Sequence, residues 1–141
     1  MPTEEVQGKI DFVEANLAKL TRIPQGSYDE FMSDFRNLDS ALYALQTAIQ
    51  GLMDLGSHLC ASLGLPAPST SRDVLQALET AGQLPAGSTD RFGPMFSFRN
   101  RVVHLYDRVD SRIVFRILTE DRKDLKELLL LFVSKLGQGE P

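Results

Sequence analysis

Residues 31–59 read FMSDFRNLDSALYALQTAIQGLMDLGSHL. Phe31, Phe35, Leu38, Leu42, Leu45, Ile49, Leu52, Gly56 and Leu59 follow one another at alternating steps of four and three. That spacing keeps one face of an α-helix apolar for about four heptads, as a helix buried in a bundle requires. Gly51 and Gly56 lie inside it, each costing about 1 kcal/mol relative to alanine. They point to the close approach of another helix, or to a bend.

Working outward, helix follows helix. Upstream, Val6, Ile10, Val13, Leu17 and Leu20 repeat the four-three spacing, and Ile23-Pro24-Gln25-Gly26 stops it. Ser27 is placed to cap the long helix, with Glu30 three residues on completing a capping box. Downstream, a loop from Gly64 to Thr70 precedes a short helix over Ser71 to Ala81, and a second loop follows from Gln83. A fourth helix is expected from about Asp90 into the Asp107 region. A fifth is expected from about Ser111 to Leu136, with Val114, Leu118, Leu125, Leu128 and Phe132 as its seam. Strand-type alternation is absent. The expected fold is all-α: an up-and-down bundle of four main helices plus a short one, forming a single domain over residues 1–141.

Composition narrows the class. With 141 residues, 43% of them apolar and 24% charged, the chain can build a core without staples. A single cysteine, Cys60, excludes an internal disulfide and a cysteine zinc cluster. It reads as a small buried apolar residue. The first ten residues carry Glu4 and Glu5 and no apolar run, and the longest apolar run, Leu128 to Val133, is too short to span a bilayer. A cytoplasmic protein is expected, with no membrane association.

A net charge of −4 argues against a general nucleic-acid binder. The charge is unevenly distributed, however. Between Arg91 and Arg116 stand six arginines and two acids, a local +4 that leaves −8 on the rest. Such a region can attract phosphate locally, or it can be a solvated helical face.

Within it lies Phe98-Arg99-Asn100-Arg101-Val102-Val103-His104-Leu105-Tyr106. Histidine moves a proton near neutral pH, and arginine grips a phosphate through two parallel donors. RNA brings its own 2′-hydroxyl nucleophile, so these residue types suit phosphoryl transfer on RNA without a metal or other cofactor. Helix geometry tempers that reading. Arg99 and Tyr106, seven apart, share a face, as do Asn100 and His104, four apart. Arg99 and His104, five apart, diverge by roughly 140°. Aiming both at one phosphate needs arginine's reach, a distortion at the helix end, or a site shared between subunits.

Other residues carry open alternatives. Arg101, Arg108, Arg112 and Arg116 are solvated or steer phosphate. Asp54 shares a polar stripe with Arg36, Tyr43, Thr47 and Gln50 that either faces solvent or borders the site. Asp107 could hydrogen-bond His104, or be only a helix-end acid. His58 and His104 as a metal pair lack a third ligand of suitable spacing.

The stretch resembles the signature of the HEPN superfamily and, more narrowly, its HepT-like branch. Arg99-Asn100, four residues between Arg99 and His104, and His104-Leu105-Tyr106 match that motif without departure. Residues 38–50 look like the family's long second helix. Asp54 and His58 stand where such sequences often carry an acid and a histidine, and Arg22-Ile23 before Tyr28, the proline-rich loop after Gly64, and Val109-Asp110 are also similar. The resemblance implies a HEPN-type helical homodimer with the motifs of both subunits in an interfacial cleft. It implies a metal-independent endoribonuclease toxin, with Arg99 and His104 catalytic and Asn100, Arg101 and Tyr106 supporting RNA. A minimal nucleotidyltransferase antitoxin of the MntA type is the implied partner, silencing the toxin by AMP transfer to Tyr106. The alternative is a HEPN module that binds nucleotide or RNA, or docks to a nucleotidyltransferase, without cutting.

Overall fold

Helix starts in this chain are set by side-chain caps. In the computed structural model, which describes residues 3–104 and 108–139 (the last two by backbone alone), Thr3 Oγ1 accepts from the Val6 amide at 3.2 Å and opens α1, Glu4–Leu20. Glu4 and Glu5 occupy its first turn, where acidic side chains favour the helix dipole. Its apolar stripe, Val6, Ile10, Val13, Leu17 and Leu20, is buried as the spacing predicts.

Ser27 Oγ accepts from the Glu30 amide at 3.0 Å, as expected, but the helix it starts is a single turn, α2, Tyr28–Met32. Asp34 then takes an extended backbone, φ −138° and ψ 122°, and its carboxylate accepts from the Arg36 amide to start α3, Phe35–Ser62. The expected continuous helix is thus broken at Ser33–Asp34, residue types whose short polar side chains compete for backbone groups and favour caps. Phe31 before the break is fully buried, whereas Phe35 after it is 75% exposed.

From Leu42 onward the α3 seam is core: Leu42, Leu45, Ile49, Leu52 and Leu59 are buried. Both glycines mark close approach. A Cβ on Gly51 would lie 2.4 Å from Val13 Cγ2, and one on Gly56 would lie 2.7 Å from Val74 Cγ1 and 3.2 Å from the Phe132 ring. Thr70 caps α4, Ser71–Thr80. The next helix, α5, spans Ser88–His104. Asp110 caps α6, Ser111–Arg116, which continues through a π-helical turn, Ile117–Asp121, into α7, Arg122–Gly139. Counting α6 to α7 as one interrupted helix, four long helices form the bundle among the described residues, and α2 and α4 are short.

Contacts fix the directions. Lys9 meets Asp54 while Lys19 and Ala44 line one groove, so α1 runs antiparallel to α3. Phe31 packs on Phe115 and Gly56 on Phe132, so the last helix runs parallel to α3. Arg91 meets Asp124 while Phe98 and Ile113 line one crevice, so α5 runs antiparallel to it. The end of α1, the start of α3, the end of α5 and the start of α6 therefore lie at one end of the bundle. His104, the last residue of α5, lies there.

Candidate functional site

The helix that carries the motif is anchored from a distance. The Glu79 carboxylate accepts from the Thr89 hydroxyl at 2.7 Å, the Thr89 amide at 2.7 Å and the Gly87 amide at 2.9 Å. These bonds satisfy amides at the start of α5 and hold the Glu79 carboxyl below its ordinary range. Gly93 gives room for the Arg72 guanidinium, whose Nη1 would lie 2.4 Å from a Cβ there. Pro94 follows, exposed and without an N–H to donate into the helix.

The buried face of α5 includes Phe92, Met95, Phe96 and Val102. By helical projection Arg99 falls in the middle of that face. It is half-buried. Its Nη1 donates to Asn100 Oδ1 at 3.3 Å, and its Nε is buried with no hydrogen-bond partner among the described residues. Asn100 Nδ2 in turn donates to Ser71 Oγ at 3.4 Å, tying the motif to the first residue of α4. The sequence marks Ser71 only as a helix start, and a contact across 29 residues leaves no local signal.

His104 and Arg101 are exposed. No hydrogen bond joins His104 to Arg99 among the described residues, in line with their divergence around the helix. Arg101 and Arg108 line a crevice of about 130 Å³ whose apolar wall is Phe98, Val102 and Ile113. Tyr106 and Asp107 lie outside the described residues.

The arginine-rich region is not one patch. Arg91 is ion-paired with Asp124 and Glu127 and sits near the start of α5, away from His104. Arg112 lies over the Tyr28 ring at 4.3 Å, and Tyr28 Oη and Ser111 Oγ are 2.5 Å apart. Asp54 is engaged by Lys9 Nζ at 3.1 Å and Gln50 Nε2 at 2.8 Å, on the α1 side of α3. His58, half-buried, is one turn further along α3. Cys60 is buried beside the Val74 carbonyl, and burial pushes its thiol up. Among the described residues no cluster of three histidine, cysteine or acidic side chains could hold a metal ion, and no helix is long and apolar enough to cross a membrane.

The fold is thus an all-α bundle that carries Arg99, Asn100 and His104 on its third long helix. The profile of the family described as ribonuclease HepT-like matches residues 13–131, so the chain belongs to the HepT-like ribonuclease family and is an enzyme of that class. It is 26% identical over 112 residues to an mRNA nuclease HepT of Shewanella oneidensis, covering 78% of this chain and 84% of that relative. It is 23% identical over 114 residues to a tRNA nuclease HepT of Aphanizomenon flos-aquae, covering 81% and 78%. The solved structure of a tri-AMPylated Shewanella oneidensis HEPN toxin in complex with an MNT antitoxin matches with a TM-score of 0.83 at 21% identity, over 94% of this chain and 98% of that one. A toxin–antitoxin structure with AMP-PNP gives 0.81 at 21% identity, over 92% and 98%. At these identities the structural likeness establishes the fold.

Proposed function

We propose that this chain is a metal-independent endoribonuclease toxin whose working residues are Arg99 and His104. The observation that carries the reading is the half-buried Arg99, fixed by Asn100 through Nη1 and holding a buried Nε with no partner among the described residues, on the same helix as the exposed His104. A buried donor without an acceptor is costly, and a phosphate oxygen is an acceptor that arginine suits.

In the proposed reaction the RNA 2′-oxygen attacks the adjacent phosphorus, the bond to the 5′-oxygen breaks, and a 2′,3′-cyclic phosphate forms. One His104 takes the 2′-hydroxyl proton and a second donates a proton to the leaving 5′-oxygen. In a homodimer the two imidazoles come from two subunits, which also relieves the divergence of Arg99 and His104 on one helix. Arg99 stabilises charge on the phosphoryl oxygens. Asn100 positions Arg99, and Arg101 and Tyr106 support the RNA. The partner that silences the enzyme is an MntA-type minimal nucleotidyltransferase. It joins the α-phosphorus of ATP to the Tyr106 phenolic oxygen, releasing pyrophosphate and the phenolic proton. The added phosphate then places negative charge two residues from His104.

The deciding experiment is cleavage of total RNA by purified protein in EDTA, comparing wild type with His104→Ala. Cleavage that survives EDTA and vanishes in the variant supports the reading. A folded, AMP-free wild type that binds RNA but leaves it intact overturns it in favour of a binding module.

A further inference from the structure

At the His104 end of the bundle lies a groove of about 650 Å³ that the cleavage chemistry leaves unused. Lys19 and Arg22 line it from the end of α1 and the turn after it, and Asn37, Ser40 and Tyr43 line it from the first turns of α3. Arg36 also borders it, but its guanidinium is bound in a fork by Asp34, whose carboxyl is lowered to about 2 by that pairing. Lys19 and Arg22 are different: both are exposed, and neither is ion-paired among the described residues. Asp39 adds one exposed carboxylate.

Tyr43 is the unusual feature. The residue is 60% exposed where it lines the groove, and Phe35, two turns earlier on α3, is 75% exposed. An aromatic ring held open beside two uncommitted cations is the arrangement that binds single-stranded nucleic acid, by stacking a base while the cations hold flanking phosphates. Of the two carboxylates lining the groove, Asp34 is committed to Arg36, and the remaining one, Asp39, suits a strand with hydroxyl donors; RNA alone offers a 2′-hydroxyl at every sugar. Packing explains why the groove is near the motif: antiparallel α1 and α3 bring Lys19, Arg22 and Tyr43 to the same end as the close of α5.

Building on the ribonuclease reading above, we propose that this groove is an RNA-anchoring subsite, holding a single-stranded stretch of substrate away from the scissile phosphate, with Tyr43 as the stacking platform and Lys19 and Arg22 as the phosphate clamp. An unstructured strand anchored there lies at the same end of the bundle as His104, and helical RNA, whose bases are already stacked on one another, cannot use Tyr43.

The test measures binding of a labelled twelve-residue uridine oligonucleotide to His104→Ala protein, which retains the groove and cannot cut. Three versions are compared: the groove variants Tyr43→Ala and Lys19→Ala/Arg22→Ala, and the charge-matched control Lys123→Ala/Lys126→Ala on the other side of α1. Tyr43→Ala should weaken binding about tenfold or more. The groove charge variant should lower the slope of log affinity against log salt by about 1.4, from two phosphate contacts on a single strand. The control should bind like its parent. Groove variants that bind like the parent, a control that loses as much as the groove pair, or a parent that does not bind the oligonucleotide each overturn the subsite. So does a groove variant that binds RNA normally but no longer associates with the nucleotidyltransferase, since the groove would then be a protein-docking face. None of these bears on the ribonuclease reading, which is decided separately by cleavage of total RNA in EDTA by wild type and His104→Ala.

Discussion

Arg99 donates through Nη1 to Asn100 Oδ1 at 3.3 Å, while Arg99 Nε stays buried without a partner among the described residues. Asn100 passes the restraint on to Ser71 at 3.4 Å, so the guanidinium is oriented by a chain that ends on another helix. An arginine held this way is arranged to receive an acceptor from outside.

Arg99→Lys should therefore lower the single-turnover cleavage rate by about a hundredfold, because an ammonium cannot reproduce the planar fork. Asn100→Ala should cost about tenfold, the loss of one orienting hydrogen bond, with substrate binding little changed. Thermal unfolding of both variants should stay close to wild type, since each position is only half-buried. An Arg99→Lys enzyme that cleaves at the wild-type rate would remove Arg99 from the reaction.

Two helical glycines should respond to alanine with opposite signs. At Gly51 the new Cβ meets Val13, a stiff β-branched side chain in the core, at 2.4 Å. Overpacking of this kind costs about 1–3 kcal/mol, more than the roughly 1 kcal/mol that helix propensity returns. At Gly93 the obstacle is the far end of Arg72, a flexible and half-exposed chain whose ion pair with Asp90 is worth under about 1 kcal/mol. Denaturant midpoints should fall for Gly51→Ala and hold or rise for Gly93→Ala. Adding Val13→Ala should recover part of the Gly51→Ala loss.

What the sequence made legible was local. The four-three stripes of α1 and the later part of α3, the start of α4 and the Ser27 cap depend on neighbours within a few residues. The break at Ser33–Asp34 was hidden because the apolar spacing runs straight across it, and Phe35 fits the stripe yet faces solvent. The π-helical turn shifts the register inside a segment whose apolar pattern already looked regular. The arginine-rich region looked like one patch only along the chain. Arg91 and Arg101 are ten residues apart, about 15 Å along a helix, which separates them to different ends of α5. Motif order singles out Arg99, Asn100 and His104 as candidates, but the supports Ser71 and Glu79 act through tertiary contacts with no local signature.

Glu79 predicts an acid response of the motif helix. Its carboxyl is lowered first by the Thr89 hydroxyl, then by the Thr89 and Gly87 amides, from an ordinary value of 4.5. A carboxyl depressed on folding contributes stability above its unfolded pKa and loses that contribution as pH falls through the folded one. The start of α5 should therefore loosen as pH drops below about 4.5, read as faster amide exchange at Gly87 and Thr89 relative to the intrinsic rate at each pH. Glu79→Ala should show that faster exchange already at pH 7 and lose the acid-dependent step. Equal exchange in both proteins at neutral pH would mean the carboxylate does not hold the helix start.

Tyr106 separates switching from cutting. If the phenol serves mainly as the AMP acceptor, its oxygen is needed for modification, while its ring is enough to support RNA by stacking. Tyr106→Phe keeps the ring and removes the oxygen. It should retain cleavage within about tenfold, the scale of one lost hydrogen bond, and take up no AMP there when incubated with ATP and the partner nucleotidyltransferase, measured by intact mass. It should also remain active in the presence of that partner, which is expected to silence wild type. Tyr106→Ala, which loses the ring as well, should cleave more slowly than Tyr106→Phe because base stacking on an aromatic side chain is lost. A Tyr106→Phe protein still silenced by the partner in an ATP-dependent way would move the switch to a different residue.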